Sequence, residues 1–133
     1  MRPLRARVTM GLQVGSYIDT CDNSGAKLVK ITSVFGSKTV KGRVPSCGVG
    51  HLVTVAVKEG KQDMRKQVVL AVIARQKKEY RRADGMRLKF EDNACIIVKD
   101  EKGNPKGTMV KGPIAREVCD RWLPLAKLAT IVV

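Results

Sequence analysis

A chain of 133 residues suits one domain with one core, and a hydrophobic content of 44% excludes a disordered tail. Lys and Arg outnumber Asp and Glu by 26 to 12, a formal charge of +14, and an excess of that size costs self-repulsion and points to a polyanionic partner. No apolar run approaches the ~20 residues that cross a bilayer, and no leader-length apolar stretch follows the basic start MRPLRARV, which favours a cytosolic protein.

Residues 1–10 read as a short extended basic arm. Val14–Cys21 (VGSYIDTC) reads as a first strand, and Asp22-Asn23-Ser24-Gly25 as a turn, because Asp and Asn bond their own backbone and Gly accepts positive φ. Lys27–Val34 follows as a second strand, with Val29 and Ile31 on one face and Lys30 and Thr32 on the other. Gly36–Gly50 is a loop or loose hairpin carrying Lys38, Lys41 and Arg43. Within it Gly48-Val49-Gly50 lacks the third glycine and the following helix of a phosphate-cradling loop, so a turn is expected.

Leu52–Lys58 alternates as a third strand. Val68–Arg75 (VVLAVIAR) is a nearly unbroken apolar run of strand length, as a strand buried on both faces requires. Arg75–Phe90 (RQKKEYRRADGMRLKF) then sets seven basic residues, Arg75, Lys77, Lys78, Arg81, Arg82, Arg87 and Lys89, against Glu79 and Asp84. Asp84-Gly85 predicts a hairpin turn. Met86, Leu88 and Phe90 alternate with Arg87 and Lys89, which predicts cations held on one side of a strand, the kind of positioned charge that a phosphate backbone takes. Ala94–Lys99 is the last strand, and Gly103-Asn104-Pro105 a further turn.

Beyond Pro113 the period changes. Pro113 suits the first turn of a helix, Ile114, Ala115, Val118, Cys119 and Trp122 share a helical face, and Pro124 is expected to end that helix, with a short turn to Ala129 and an apolar tail at Ile131–Val133. The expected architecture is mainly β: a single domain over 1–133 in which five or six short strands with turns between them form a small barrel, capped by short helices over 113–129. Charge is uneven along the chain. Residues 1–89 carry 19 Lys and Arg against 6 Asp and Glu, whereas 90–133 carry 7 against 6, which predicts a basic side for RNA and a neutral side for protein.

Catalytic chemistry finds no foothold. One histidine, His51, scattered carboxylates and no Ser/His/Asp pattern point to no enzyme. Cys21, Cys47, Cys95 and Cys119 form no C-x-x-C pair, so neither a metal nor any other cofactor is expected, and the thiols read as small reduced side chains. Phe90 and Trp122 read as core, which leaves Tyr80 and Phe35 for stacking. So few aromatics favour recognition of phosphates and RNA shape over a free single-strand-binding module, the runner-up reading.

Several ordered blocks resemble the universal large-subunit ribosomal protein fourteen family: DNSGA at Asp22–Ala26, Gly48-Val49-Gly50, AVIAR at Ala71–Arg75, YRRADG at Tyr80–Gly85, KFEDNACII at Lys89–Ile97, Gly107-Thr108 and GPIARE at Gly112–Glu117. KFEDNA and GPIARE are similar to the archaeal and eukaryotic branch, and the short arm favours an archaeal source. The resemblance implies a small five-stranded β-barrel with a β-ribbon and short C-terminal α-helices, no enzymatic activity, and a structural constituent of the large ribosomal subunit in the cytoplasm. It implies rRNA binding through the basic ribbon, Lys38, Lys41 and Arg43, and through the segment of Arg75, Lys77, Lys78, Arg81 and Arg82, to which the alternation of the following strand adds Arg87 and Lys89. It implies a bridge to small-subunit rRNA and a protein-facing surface near Thr108, Lys111, Arg116 and Arg121. The partners it implies are the universal protein three, the archaeal/eukaryotic protein twenty-four and an anti-association factor of the initiation factor six type.

Overall fold

The computed structural model describes residues 1–133. In chain order the elements are β1 (Leu12–Gln13), β2 (Tyr17–Thr20), β3 (Ala26–Val34), β4 (Ser46–Cys47), β5 (Leu52–Gly60), β6 (Val68–Arg75), β7 (Tyr80–Arg81), β8 (Arg87–Leu88), β9 (Ala94–Val98), β10 (Pro113–Ile114), α1 (Arg116–Arg121), α2 (Leu123–Leu128) and β11 (Ile131–Val132). Five strands close into a barrel in the order β2-β3-β5-β6-β9, and β9 returns to run parallel to β2. Closure leaves no unpaired edge, so the expected mainly β barrel with short helices is what the chain forms.

Strand alternation sorts the apolar residues into two cores. Ile18, Val29, Ile31, Val53, Val55, Val57, Ala71, Ile73, Cys95 and Ile97 fill the barrel. Each large aliphatic among them is worth roughly 1.5–3 kcal/mol when fully buried. The opposite faces of β6 and β9, with Val72, Ala74, Ala94, Ile96 and Val98, join Val8, Tyr80, Ile114, Val118, Trp122 and Leu125 in a second core outside it. That second core explains why β9 and residues 71–75 of β6 are apolar without alternation: both of their faces are covered, whereas Val68 at the start of β6 is exposed.

The C-terminal third departs from expectation. Pro113 does not open a helix. It lies in β10, which pairs in parallel with β11, and α1 begins three residues later behind Ala115. Pro124 stands in the first turn of α2, where its missing N–H is no loss; α1 already stops at Trp122, whose backbone turns extended. Trp122 is buried between α1, α2 and the barrel, and its indole Nε1–H donates to the carbonyl of Gly50 at 2.9 Å.

Asp22 does more than cap its turn. Its carboxylate accepts the Ile97 amide at 3.0 Å and the Ser24 hydroxyl at 2.9 Å, tying the DNSG turn to β9, while burial pushes its pKa up. Cys21, Cys47 and Cys95 are buried and Cys119 is half-buried. Burial pushes the Cys21 and Cys47 thiols from 9.0 up to about 12. The thiolate is the reactive form, so at mildly alkaline pH iodoacetamide is expected to modify Cys119 first and the other three only on unfolding. Rapid alkylation of Cys21 or Cys47 in the native protein would contradict this packing. The unfolded chain loses these two protons near 9.0 whereas the fold holds them to about 12, so their contribution to stability is intact below pH 9 and is lost as pH rises through that window.

Candidate nucleic-acid interface

The basic segment after β6 is a ribbon whose ladder is only two residue pairs long, Tyr80 opposite Leu88 and Arg81 opposite Arg87. Its turn is closed by Arg82 N–H to Met86 O at 2.8 Å and by the Asp84 carboxylate accepting the Met86 amide at 2.9 Å. The ribbon is shorter than its alternation suggested, and Met86 is exposed rather than facing a core. Phe90 is half-buried against the outer core. Like charges directly across a ladder repel. Glu79 relieves Arg87 at 3.2 Å, but Arg81 has no acid. Lys77 and Lys78 stand exposed where the segment leaves the barrel, with the Lys77 amide held by Asn93 at 2.8 Å, and Lys89 is exposed at the far end.

Two of the seven cations are committed elsewhere. A register shift between Ile73 and Arg75 turns Arg75 inward. Its guanidinium grips both carboxylate oxygens of Asp92 at 2.9 Å and donates to the carbonyls of Lys111 and Pro113 at 3.1 and 2.9 Å. It is a buried strut, not an open rRNA contact, because the bend that ends β6 aims it at the chain returning from residue 111. Arg82 also faces inward. It pairs with Glu117 of α1 at 2.8 Å and donates to the carbonyl oxygen of Val133. Tyr80, expected to be free for stacking, is buried beside it with its hydroxyl donating to Glu117 at 3.0 Å. The ribbon folds down over α1, and that tertiary contact hides Tyr80. The exposed aromatics are Tyr17 and Phe35, with the Lys30 ammonium 5.7 Å from the Tyr17 ring centre.

The loop 36–45 carries Lys38, Lys41 and Arg43, all exposed. At its tip the Arg43 amide reaches Val40 O at 3.4 Å, and Lys41 and Gly42 both take positive φ, 58° and 72°. A lysine in the left-handed region costs of order 1 kcal/mol. Lys41→Asn is therefore expected to raise the thermal midpoint slightly while removing a tip cation; an unchanged or lowered midpoint would mean that no strain resides there.

Near the C-terminal end, Asn23 organises the segment that holds Thr108. Its side-chain oxygen accepts the amides of Thr108 and Met109 at 2.8 and 3.2 Å, and its amide donates to the Thr108 hydroxyl at 2.9 Å. Lys111 and Arg116 are exposed; Arg121 is half-buried, its Nε without a partner and its pKa lowered by burial. His51 is turned back on its own loop, Nδ1 taking the Gly48 amide at 3.1 Å, and burial lowers its pKa, so it adds no charge at neutral pH.

The expected split into a basic side and a neutral side does not hold in space. Arg82 meets Glu117, Arg75 meets the 111–113 backbone, and the amide of Arg2 reaches Arg121 O at 3.0 Å. The arm is what interleaves them. Val8 is buried in the outer core, and Gln76, wholly buried, fastens Thr9 O at 2.8 Å and the Val49 amide at 3.2 Å. Asn23, Gln76, Asp92 and Glu117 thus position the site; the sequence marked Asn23 only as a turn residue and gave the other three no role of their own. Their one visible signal was an uncharged or acidic residue set inside an otherwise basic or turn-forming stretch.

A closed barrel whose free cations stand on a loop, a ribbon and an arm outside the core defines a small basic β-barrel protein. More narrowly, the chain belongs to the ribosomal protein L14p/L23e family, whose sequence profile matches residues 11–133. Proteins named large ribosomal subunit protein uL14 are similar over the whole of both chains: 51% identical in Nanoarchaeum equitans, 49% in Halobacterium salinarum and 47% in Methanocorpusculum labreanum, each across 133 residues. This is a family of ribosomal structural proteins, not of enzymes.

Proposed function

We propose that this chain is a structural component of the large ribosomal subunit in the cytoplasm, and that it docks on large-subunit rRNA through Lys38, Lys41 and Arg43 of the loop and through Lys77, Lys78, Arg81, Arg87 and Lys89 of the ribbon. The observation that carries the docking reading is Arg81 facing Arg87 across a two-pair ladder with no carboxylate to serve Arg81. Such a pair is held in place by the fold yet is electrostatically incomplete, and a phosphate backbone completes it. Arg75 and Arg82 belong to the frame that aims these residues.

The C-terminal end suits macromolecular contact of another kind. Thr108 is fixed by Asn23, Lys111 is open, and Met109, Leu123, Ile131 and Val132 expose apolar surface. This end serves a bridge to small-subunit rRNA, the neighbouring universal protein three and archaeal/eukaryotic protein twenty-four, and an anti-association factor of the initiation factor six type. Arg121, half-buried, contributes less to it.

Cell extract fractionated on a gradient is expected to carry the protein with the large subunit. A predominantly free pool would overturn the reading in favour of a free regulatory binder. Reversal of Lys77 and Arg81 to Glu is expected to flatten the salt dependence of rRNA binding by about two in log–log slope with the thermal midpoint held. Arg82→Glu is not a clean test, because it sets a second carboxylate against Glu117.

A further inference from the structure

We propose that the cleft between the arm, the β7–β8 ribbon and α1 is a phosphate pocket in which Arg5, Arg81 and Arg116 share one phosphodiester of bound RNA. The inference rests on the rRNA-docking reading and adds a site to it. The cleft encloses about 240 Å³ and takes its walls from three segments that lie far apart in sequence. Its cations are Arg5, Arg81, Arg82 and Arg116, and its acids Asp84, Glu117 and Asp120.

The charges do not cancel in place. Arg82 and Glu117 satisfy each other at 2.8 Å, and the second Glu117 oxygen also takes the Tyr80 hydroxyl. Asp84 is occupied with the Met86 amide of its own turn. Arg5, Arg81 and Arg116 form no ion pair, since the pairs in the molecule are Arg75–Asp92, Arg82–Glu117 and Arg87–Glu79. Three free guanidinium groups against Asp84 and Asp120 leave a surplus of one positive charge, which matches the single negative charge of a phosphodiester better than a multiply charged ligand. Guanidinium forks fit phosphate oxygens two at a time. Leu4 and Val8 form the apolar part of the wall, where such bonds are less screened than on an open face.

Two consequences follow for the residues involved. Arg116, assigned from the family resemblance to the protein-facing end, stands on the RNA-facing side. The arm supplies a ligand, Arg5, and its fastening by Gln76 and by the Arg2 amide holds that ligand near the ribbon.

The test uses the full-length protein and a large-subunit rRNA transcript, with affinity measured across a series of salt concentrations. Arg5→Gln and Arg116→Gln are each expected to weaken binding and to lower the log–log salt slope by up to about one. The double variant is expected to lose no more than about one in slope, because one phosphate is shared. Lys41→Gln, on the remote loop, serves as the comparison. If both arginine variants keep the parental slope while Lys41→Gln lowers it, the pocket is refuted and the docking reading stands. If the unaltered protein ignores the transcript at low salt, the docking reading fails and the pocket with it. A loss of about two in the double variant would mean separate phosphates and would overturn the shared site. A thermal midpoint raised by inorganic phosphate over chloride at equal ionic strength, with rRNA slopes unchanged in the variants, would mark a free-anion site and would equally overturn the claim. Arg5→Gln alone carries the test if Arg116→Gln lowers the thermal midpoint.

Discussion

Trp122→Ala is expected to destabilise the protein by about 3–5 kcal/mol. The indole is almost wholly buried in the outer core, at the junction of α1 and α2, and it fills the space between those helices and the barrel. Removing it costs the transfer of a large ring from water plus a cavity that two six-residue helices cannot collapse to fill. Trp122→Phe separates ring from hydrogen bond. It keeps most of the apolar volume but orphans the Gly50 carbonyl, so a loss of about 1–3 kcal/mol is expected. The fit is tight from the other side as well. Gly103 has φ +84°, and a Cβ there would come within 2.4 Å of the ring, so Gly103→Ala is expected to be disruptive. Phe90→Ala, at a half-buried ring, should cost clearly less than Trp122→Ala. Urea unfolding with a constant m-value checks the series; equal losses at Phe90 and Trp122 would contradict the packing described.

Arg75→Ala is expected to cost about 3 kcal/mol, as for a buried ion pair broken from one side. The substitution unpairs Asp92 and strips the Lys111 and Pro113 carbonyls of their donor. Asp92 is partly exposed and regains water, which limits the loss. Arg75→Lys should recover only part of it, because an ammonium cannot span two carboxylate oxygens and two carbonyls in one plane. Gly112 is part of the same device: its φ is +79°, and a Cβ would lie 2.7 Å from the guanidinium. Should Arg75→Ala unfold at the parental urea midpoint yet lose rRNA binding, Arg75 would be a contact residue and the strut reading would fall.

Much of the barrel was legible in the chain. Val68–Arg75 is apolar without alternation, the observed strand has those bounds, and both of its faces are covered over residues 71–75, although Val68 is exposed. DNSG was legible as a turn because Asp22 and Gly25 have local roles that adjacent residues reveal. The ribbon was only half legible. Alternation marked Met86, Leu88 and Phe90 as one face, but a ladder of two pairs is too short to enforce it, and Met86 ended in solvent. Pro113 suits the first turn of a helix, yet pairing with Ile131 decided for strand.

The candidate site divides along the same line. That this protein is a basic β-barrel with cations on its connections was determined by composition and by period-two patterning, which are local properties of the chain. Which cations are free was decided only by the tertiary structure. Charge counts treat Arg75, Arg81 and Arg82 alike, whereas their fates depend on Asp92 and Glu117 arriving from other parts of the chain. An ion pair forms wherever folding brings an acid within about 4 Å of a cation in the right orientation, and no spacing along a sequence encodes that distance.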